Sequence, residues 1–456
     1  MANADDVIDV AIIGAGMSGL TAAKRLRDGG RTVRVLEARE RVGGRLKLGR
    51  LAGIDVDLGG MWIGPTQTRL LQAVETYGLR TYPTHLEGRN VIRLRGRQRS
   101  GQREDAEDAL GLFGGLEYLR LMGQLSGYAK GRSLTDMQES PALNALDGWS
   151  VAAWLDRHAR TPSARAAIEF QVRALLCAEP EDVSMRFFAF YLASGGGANV
   201  LLSAGAGGAQ NFTVHGGLAQ TPAKLARDLD GLIRLGSPVR AIFQDDHGVR
   251  IVADGGEVRS RYCIVATPPT LAGEIHFEPM MPHARDLLCR RMAMGSVIKM
   301  WLAYERPFWR DRGFNGFWMA DDAAFGPCFD VTPPGQPMGV IVGFFDALHA
   351  RAWTARGADA RRAEALRTLA HVFGPEAESP LDCIEQDWTQ EQWSRGCYGG
   401  FAGPGLLNAS AAALRQPVGR IHFAGTESAT EWCGYAEGAI SAGHRAAVEV
   451  QSAFAA

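Results

Sequence analysis

Lys299 sits in MGSVIKMWL (294–302), a run whose other members are all apolar or small. A period of two puts Val297, Lys299 and Trp301 on one face of a strand, and Ile298, Met300 and Leu302 on the other. An ammonium buried there is costly and loses basicity unless something compensates it. It therefore either snorkels to solvent or serves a polar ligand inside the fold. A second set of ligand-suited groups lies near the start of the chain. GAGMSG carries Gly14, Gly16 and Gly19 in GxGxxG places, with Ser18 between them, and Glu37 stands 18 residues past Gly19. Such glycines allow a tight turn, close backbone approach to a pyrophosphate and a helix N-terminus that favours anions, while the acid accepts ribose hydroxyls.

Those groups need elements to hold them. VIDVAII (7–13) has the length of a buried strand, Leu20 to Asp28 reads as a helix, Gly29-Gly30 turns the chain, and RTVRVLE (31–37) makes a second strand ending in Glu37. Strand, glycines, helix, strand and acid in that order make a specific dinucleotide signature, where GxGxxG alone is weak. Ala38 and Arg39 then lead to Gly43-Gly44-Arg45, a second anion cradle with Arg45 available for a diphosphate. DLGGMWIGP (57–65) adds Gly60, Met61 and Trp62, a small-residue turn with a ring suited to a flat heterocycle. The combination favours FAD over NAD.

The 456 residues exceed one hydrophobic core, so two intertwined domains are expected. A net charge of −1 provides no global field for nucleic acid or an anionic membrane. MANADDVIDV lacks the basic and apolar regions of a signal peptide, and no apolar run spans a bilayer, so a cytoplasmic protein without a membrane anchor is expected. Seven cysteines without paired ligand spacing, and ten histidines without HExxH, predict reduced thiols and no metal. The alternating arginines of VIRLRGRQR (91–99) read as the solvated face of a hairpin rather than a nucleic-acid site.

EARERVGGR, GGMWIGPTQ, GSVIKMW, CIVATPP (263–269), WSRGCY (393–398), FAGTE (423–427) and GYAEGAISAGHRAA (434–447) come in one order from residue 7 to about 450. As a set they resemble the flavin-containing monoamine oxidase family. The resemblance implies a mixed α/β fold. A Rossmann-like FAD-binding domain would be assembled from 1–85, 211–295 and 391–456, and a substrate-binding domain of mixed sheet and helices from 86–210 and 296–390. It implies that Lys299 holds a water beside the flavin, and that the rings of Tyr398 and Tyr435 stand parallel and guide a neutral amine between them. Val239 would contact adenine, and Gly425, Thr426 and Glu427 the ribityl chain. The helix opening near Ala436 would aim its N-terminus at the flavin pyrimidine. Trp388 and Trp393 flank the Cys-Tyr motif and are placed to pack on the ring. Leu175, Leu201, Leu202, Gln210 and Phe344 would wall an apolar pocket.

Some members join the cysteine matching Cys397 to the flavin as a thioether. Here Ser394-Arg395-Gly396 stands where the covalently flavinylated mitochondrial members have Ser-Gly-Gly, so a thioether and a free packed thiol both remain open. The implied reaction is oxidative deamination of a primary amine with an aromatic or alicyclic body, with oxygen reduced to hydrogen peroxide. A polyamine oxidase or an L-amino-acid oxidase stays open through Glu169 and Arg173, as does a flavin-binding protein without turnover. A small amine and O2 are the expected partners, and a homodimer is left open.

Overall fold

The computed structural model describes residues 7–101 and 107–455. Ile8–Ile13 lies in the middle of the first sheet, paired in parallel with Val33–Leu36 on one side and Gly256–Val265 on the other. Val10 and Ile12 enter one core and Ala11 and Ile13 the opposite one. Burial on both faces from Val10 onward is why the end of this strand, VAII, reads as an unbroken apolar run. The long Gly256–Val265 strand changes partners along its length. Its first half pairs antiparallel with Val249–Ala253, and its last residues pair in parallel with Ile421–Phe423. The helix Met17–Asp28 packs against Ala436–Ala455, bringing distant parts of the chain together.

The second sheet runs Asp382–Asp387, Val297–Tyr304, Gly339–Asp346, Cys328–Asp330, Phe314–Ala320, Arg89–Leu94 and Arg97–Gly101. Every residue of Val297–Tyr304 is buried. Ile298, Met300 and Leu302 join one core, and Val297, Trp301 and Ala303 the other, with Lys299 on this second face. Strands of the first sheet all fall within 1–85, 211–295 and 391–456, and those of the second within 86–210 and 296–390. A helical layer containing Pro162–Leu176 and Met185–Ser194 encloses a third core.

The arginine-rich hairpin forms as expected: Arg95 and Gly96 make the turn at positive φ, and Arg97 and Arg99 are exposed. The glycine-rich helix begins at Met17, three residues before the expected Leu20, because Gly16 already serves as its N-cap. Among the described residues, no helix is long and apolar enough to cross a membrane.

Candidate active site

A continuous cavity of about 620 Å³ runs between the two sheets. At one end the strand Ile8–Ile13 stops at Gly14, whose φ is +100°, and Gly16 starts the helix. A Cβ on Gly44 would lie 3.3 Å from the Cα of Gly16, so the two glycine turns press against each other and form one floor. Glu37 is buried below it. Its Oε2 accepts the Ala15 N–H at 2.7 Å and its Oε1 the Arg39 N–H at 3.0 Å, fixing the turn and the segment after the second strand. Ser18 and Thr267 line this end, and their hydroxyls are buried without a partner. Unpaired buried hydroxyls beside a backbone cradle at a helix N-terminus fit the phosphates and ribitol of a dinucleotide. Ala38, Arg39 and Val239 complete the walls there.

Lys299 also lines this cavity. Its Nζ donates to the carbonyls of Asp57 at 2.7 Å and Gly59 at 2.8 Å, and to the Met61 sulfur at 3.1 Å. The Trp301 ring lies 4.9 Å from the ammonium, with Trp62 and Phe344 each 5.9 Å away. The cost raised by the sequence is thus met by two carbonyls, a thioether and aromatic faces. Burial still lowers the Lys299 pKa, opposed by the nearby Asp57 carboxylate. The same burial raises Asp57, whose carboxylate accepts the Leu218 and Ala219 N–H groups at 2.7 and 3.0 Å.

Tyr398 and Tyr435 both line the cavity. The Tyr398 ring stands edge-on to Phe344, centroids 6.2 Å apart, with the Cys177 thiol nearby. Tyr435 packs against Trp432 at 5.1 Å and Tyr191 at 6.2 Å. Burial holds both phenols protonated, pushing Tyr435 up to about 12 and Tyr398 well above the ordinary phenol range. Thr426 donates its hydroxyl to the Tyr435 carbonyl at 2.8 Å, holding the turn from which Ala436–Ala455 starts. Cys397 also lines the cavity, and burial pushes its thiol up to about 12. Arg395, at φ 56°, does not line the cavity and pairs its side chain with Glu274, which does.

Gly14, Gly16, Ser18, Glu37, Ala38, Arg39, Gly44, Arg45, Gly60, Met61, Trp62, Val239, Cys397, Thr426 and Ala436 thus share one cavity with Leu175, Leu202, Gln210, Phe344, Lys299 and both tyrosines. Five expected residues stand behind its walls instead. A Cβ on Gly19 would meet the Gly14 carbonyl oxygen at 1.9 Å, so that glycine serves helix–strand contact. Gly425 lies behind Thr267. Trp388 donates to the Leu58 carbonyl at 2.9 Å and supports the Gly59 turn from outside. Leu201 faces the helical core and leaves the cavity to Leu202. Glu427 is 1% exposed and braces Arg45, accepting from Nη1 at 2.6 Å and from the Gly400 N–H at 3.0 Å.

Arg45 is accordingly not a free cation for a diphosphate, since Nη1 also donates to the Tyr398 carbonyl at 3.0 Å. Glu169 pairs with Arg165 at 2.6 Å and Arg173 with Glu179 at 2.8 Å, and neither lines the cavity. The residues that sequence reasoning missed include Tyr118, Phe170, Gln171, Tyr191, Phe317, Met319 and Phe329. Ala167, Gln171, Ala174 and Leu175 recur at helical spacing, a signal that could have marked one face of Pro162–Leu176.

A family model described as flavin containing amine oxidoreductase matches residues 17–451. The chain is 36% identical to a probable flavin-containing monoamine oxidase A of Dictyostelium discoideum, covering 97% of each chain. Its structure is similar to cyclohexylamine oxidase from Brevibacterium oxydans, at 32% identity and TM-score 0.93, covering 99% of this chain and all of that one. It is also similar to a putrescine oxidase bound to putrescine, at 30% identity and TM-score 0.93, covering 98% and 99%. The glycine cradle, the enclosed lysine and these matches along nearly the whole chain agree: the protein belongs to the flavin-containing amine oxidoreductases, enzymes whose cofactor is FAD.

Proposed function

We propose that this enzyme oxidatively deaminates a primary amine with an apolar aromatic or alicyclic body. The amine, O2 and H2O give the corresponding aldehyde or ketone, NH3 and H2O2. The observation that carries the reading is the sorting of charge along the cavity. Its charged lining residues are Glu37, Arg39, Arg45, Arg240, Glu274 and Lys299, and all except Lys299 belong to segments of the first sheet. The remainder of the amine side is Phe170, Phe317, Met319, Phe329, Phe344 and similar groups, with amides and hydroxyls as its polar atoms.

When bound, FAD would supply the acceptor for the α-hydride and the route by which the electron pair reaches oxygen. We place FAD against the first sheet and the amine against the second, with Gly14, Gly16, Ser18, Arg39, Gly44 and Val239 holding the dinucleotide. The Tyr398 and Tyr435 rings, kept neutral by burial, offer electron-rich faces to the nitrogen. Their apolar surroundings favour the uncharged amine, the form that can release a hydride. The cavity lining contains no histidine among the described residues, and its carboxylates stand on the first-sheet side. Catalysis then rests on placement and electrostatics rather than on a dedicated base.

Anaerobic mixing with benzylamine, cyclohexylamine, putrescine and phenylalanine tests this. The first two are expected to bleach the flavin. An unpaired second ammonium in the apolar wall costs about 3 kcal/mol, so putrescine should react ~100-fold more slowly. Bleaching by putrescine or phenylalanine alone would overturn the apolar reading, and no bleaching at all would favour a protein without turnover.

A buried Cys397 thiol, protonated at neutral pH, is a poor partner for a thioether. FAD is therefore expected to be held without a covalent bond. Acid precipitation of the holoenzyme should leave a yellow supernatant and a colourless pellet; a yellow pellet would refute this.

A further inference from the structure

We infer that the outer face of the helix following Gly111 pairs two copies of this chain about a two-fold axis. The helix Glu107–Ala129 breaks at Gly111, where φ is +69°, and runs on regularly from Leu112. At about 100° per residue, Leu112, Leu116, Leu119, Gly123, Ser126 and Gly127 fall within roughly 100° of its circumference. The opposite side holds the helix in place. Leu121 and Leu125 enter the helical core there, and a Cβ on Gly114 would meet the Ser163 Oγ at 2.3 Å. The outer side is open. Leu112 is 74% exposed, Phe113 79%, Leu116 59% and Leu119 54%, four of the ten exposed large apolar residues among those described. They offer roughly 400–500 Å² of apolar surface, the size of the largest patch on an ordinary monomer, which is often functional.

The order of residues along this face points to a second copy as its cover. The first half carries leucines and the second half glycines. A Cβ on Gly123 or Gly127 would meet nothing within 4 Å, and neither glycine has a positive φ. Nothing inside the chain therefore calls for a residue that weakens a helix at these places. On the open side the two glycines leave hollows for an approaching surface. Turned antiparallel against itself about an axis beside Leu119, the helix sets Leu112 of one copy over Gly127 of the other, and Leu116 over Gly123. Knob meets hollow at both ends, as the same-patch contact of a two-fold dimer requires. Charge permits the approach as well. The arc from Leu112 to Gly127 has no charged residue, and Arg120 at its flank is held by Glu117 at 2.7 Å and the His158 carbonyl at 2.6 Å. Depletion of charge marks the centre of protein interfaces. Two such faces together bury on the order of 1,000 Å², where specific interfaces begin.

The FAD-loaded enzyme is measured by sedimentation velocity over roughly 0.1 to 50 μM, since pairing follows mass action. A mass of two chains is expected in the upper part of that range. Leu116→Arg puts a charge into the face and should raise the dissociation constant ~30-fold or more. Gly123→Leu fills the hollow and should weaken pairing to a similar degree while favouring the helix itself, so dissociation there is not a loss of folding. Joining Gly123→Leu to Leu116→Gly exchanges knob and hollow and should recover most of the pairing. Leu119→Cys, beside the axis, should give a disulfide-linked dimer with oxidised glutathione, because the seven native cysteines are buried or half-buried. Flavin content and melting temperature are read on each variant. A wild type of single-chain mass at the highest concentration would overturn the inference. So would a dimer unchanged in folded Leu116→Arg and Gly123→Leu, or a dimeric Leu119→Cys that does not cross-link. A single-chain wild type that sediments with phosphatidylcholine–phosphatidylglycerol vesicles would give the face to a lipid surface instead. Should a variant fail to fold, the wild-type mass and the cross-link decide.

Discussion

Lys299→Met is expected to slow amine-dependent flavin reduction about 10²–10³-fold while FAD remains bound, the usual cost of removing one preorganised charged donor from a reacting site. The structure explains why binding survives. Nζ ties Asp57, Gly59 and Met61 together. Trp301 also donates to the Asp57 carbonyl, at 3.0 Å, and Trp388 holds the neighbouring Leu58 carbonyl. Two indole ties remain when the lysine is lost. Methionine fills comparable space in an aromatic box and removes a desolvated charge, so the folding cost is small beside the catalytic one. Stopped-flow reduction and the flavin-to-protein ratio check both halves. A reduction rate within about threefold of the wild type would leave the ammonium no part in the chemistry.

Glu427→Gln should have the larger effect on assembly. Arg45 is partly buried in the wall between the glycine loop and the Cys-Tyr segment, and Glu427 faces it with both oxygens. Burial acts to raise the Glu427 carboxyl, and the Arg45 charge and hydrogen bonds overcome it, holding the group below the ordinary carboxylate range. A carboxylate lowered on folding stabilises the folded chain above its unfolded pKa of about 4.3 and loses that contribution as pH falls through the folded value. Substitution by glutamine leaves a partly buried guanidinium without its counter-charge, at up to about 3 kcal/mol. The variant should melt well below the wild type at pH 7 and emerge from gel filtration depleted of flavin. The difference in melting should narrow on acidification below about pH 4. Equal stability and full flavin content at neutral pH would show that the pair is not the brace.

Much of the architecture was legible because the signals were local. The GxGxxG turn, Glu37 and the apolar run before them required one arrangement of strand, turn and helix. The alternation around Lys299 assigned its faces correctly, because a period of two admits no other reading in a strand. Side-chain direction within irregular segments was not legible. Leu201 and Leu202 are adjacent, and the rotation of the four-residue helix Ala198–Leu201 decided which met the cavity. Thr426 and Glu427 parted the same way, one to the cavity and the other to Arg45. Gln171 was marked only by its helical spacing from Ala167, Ala174 and Leu175. A polar residue on a helix normally signals its wet face, and only the enclosing elements show this one turned inward.

The packing of Ala436–Ala455 on Met17–Asp28 also bears on how the enzyme matures. A Cβ on Gly443 would meet the Ser18 carbonyl oxygen at 2.3 Å, so the two helices touch backbone to backbone beside the nucleotide cradle. During synthesis the earlier helix leaves the ribosome hundreds of residues before its cover, with Leu20, Ala22 and Ala23 lacking Ala446, Ala447 and Val450. The nascent polypeptide thus spends most of its production with a greasy flank open to chaperones. The helix Ala436–Ala455 completes the wall of the nucleotide cradle only once nearly all of these residues have been made.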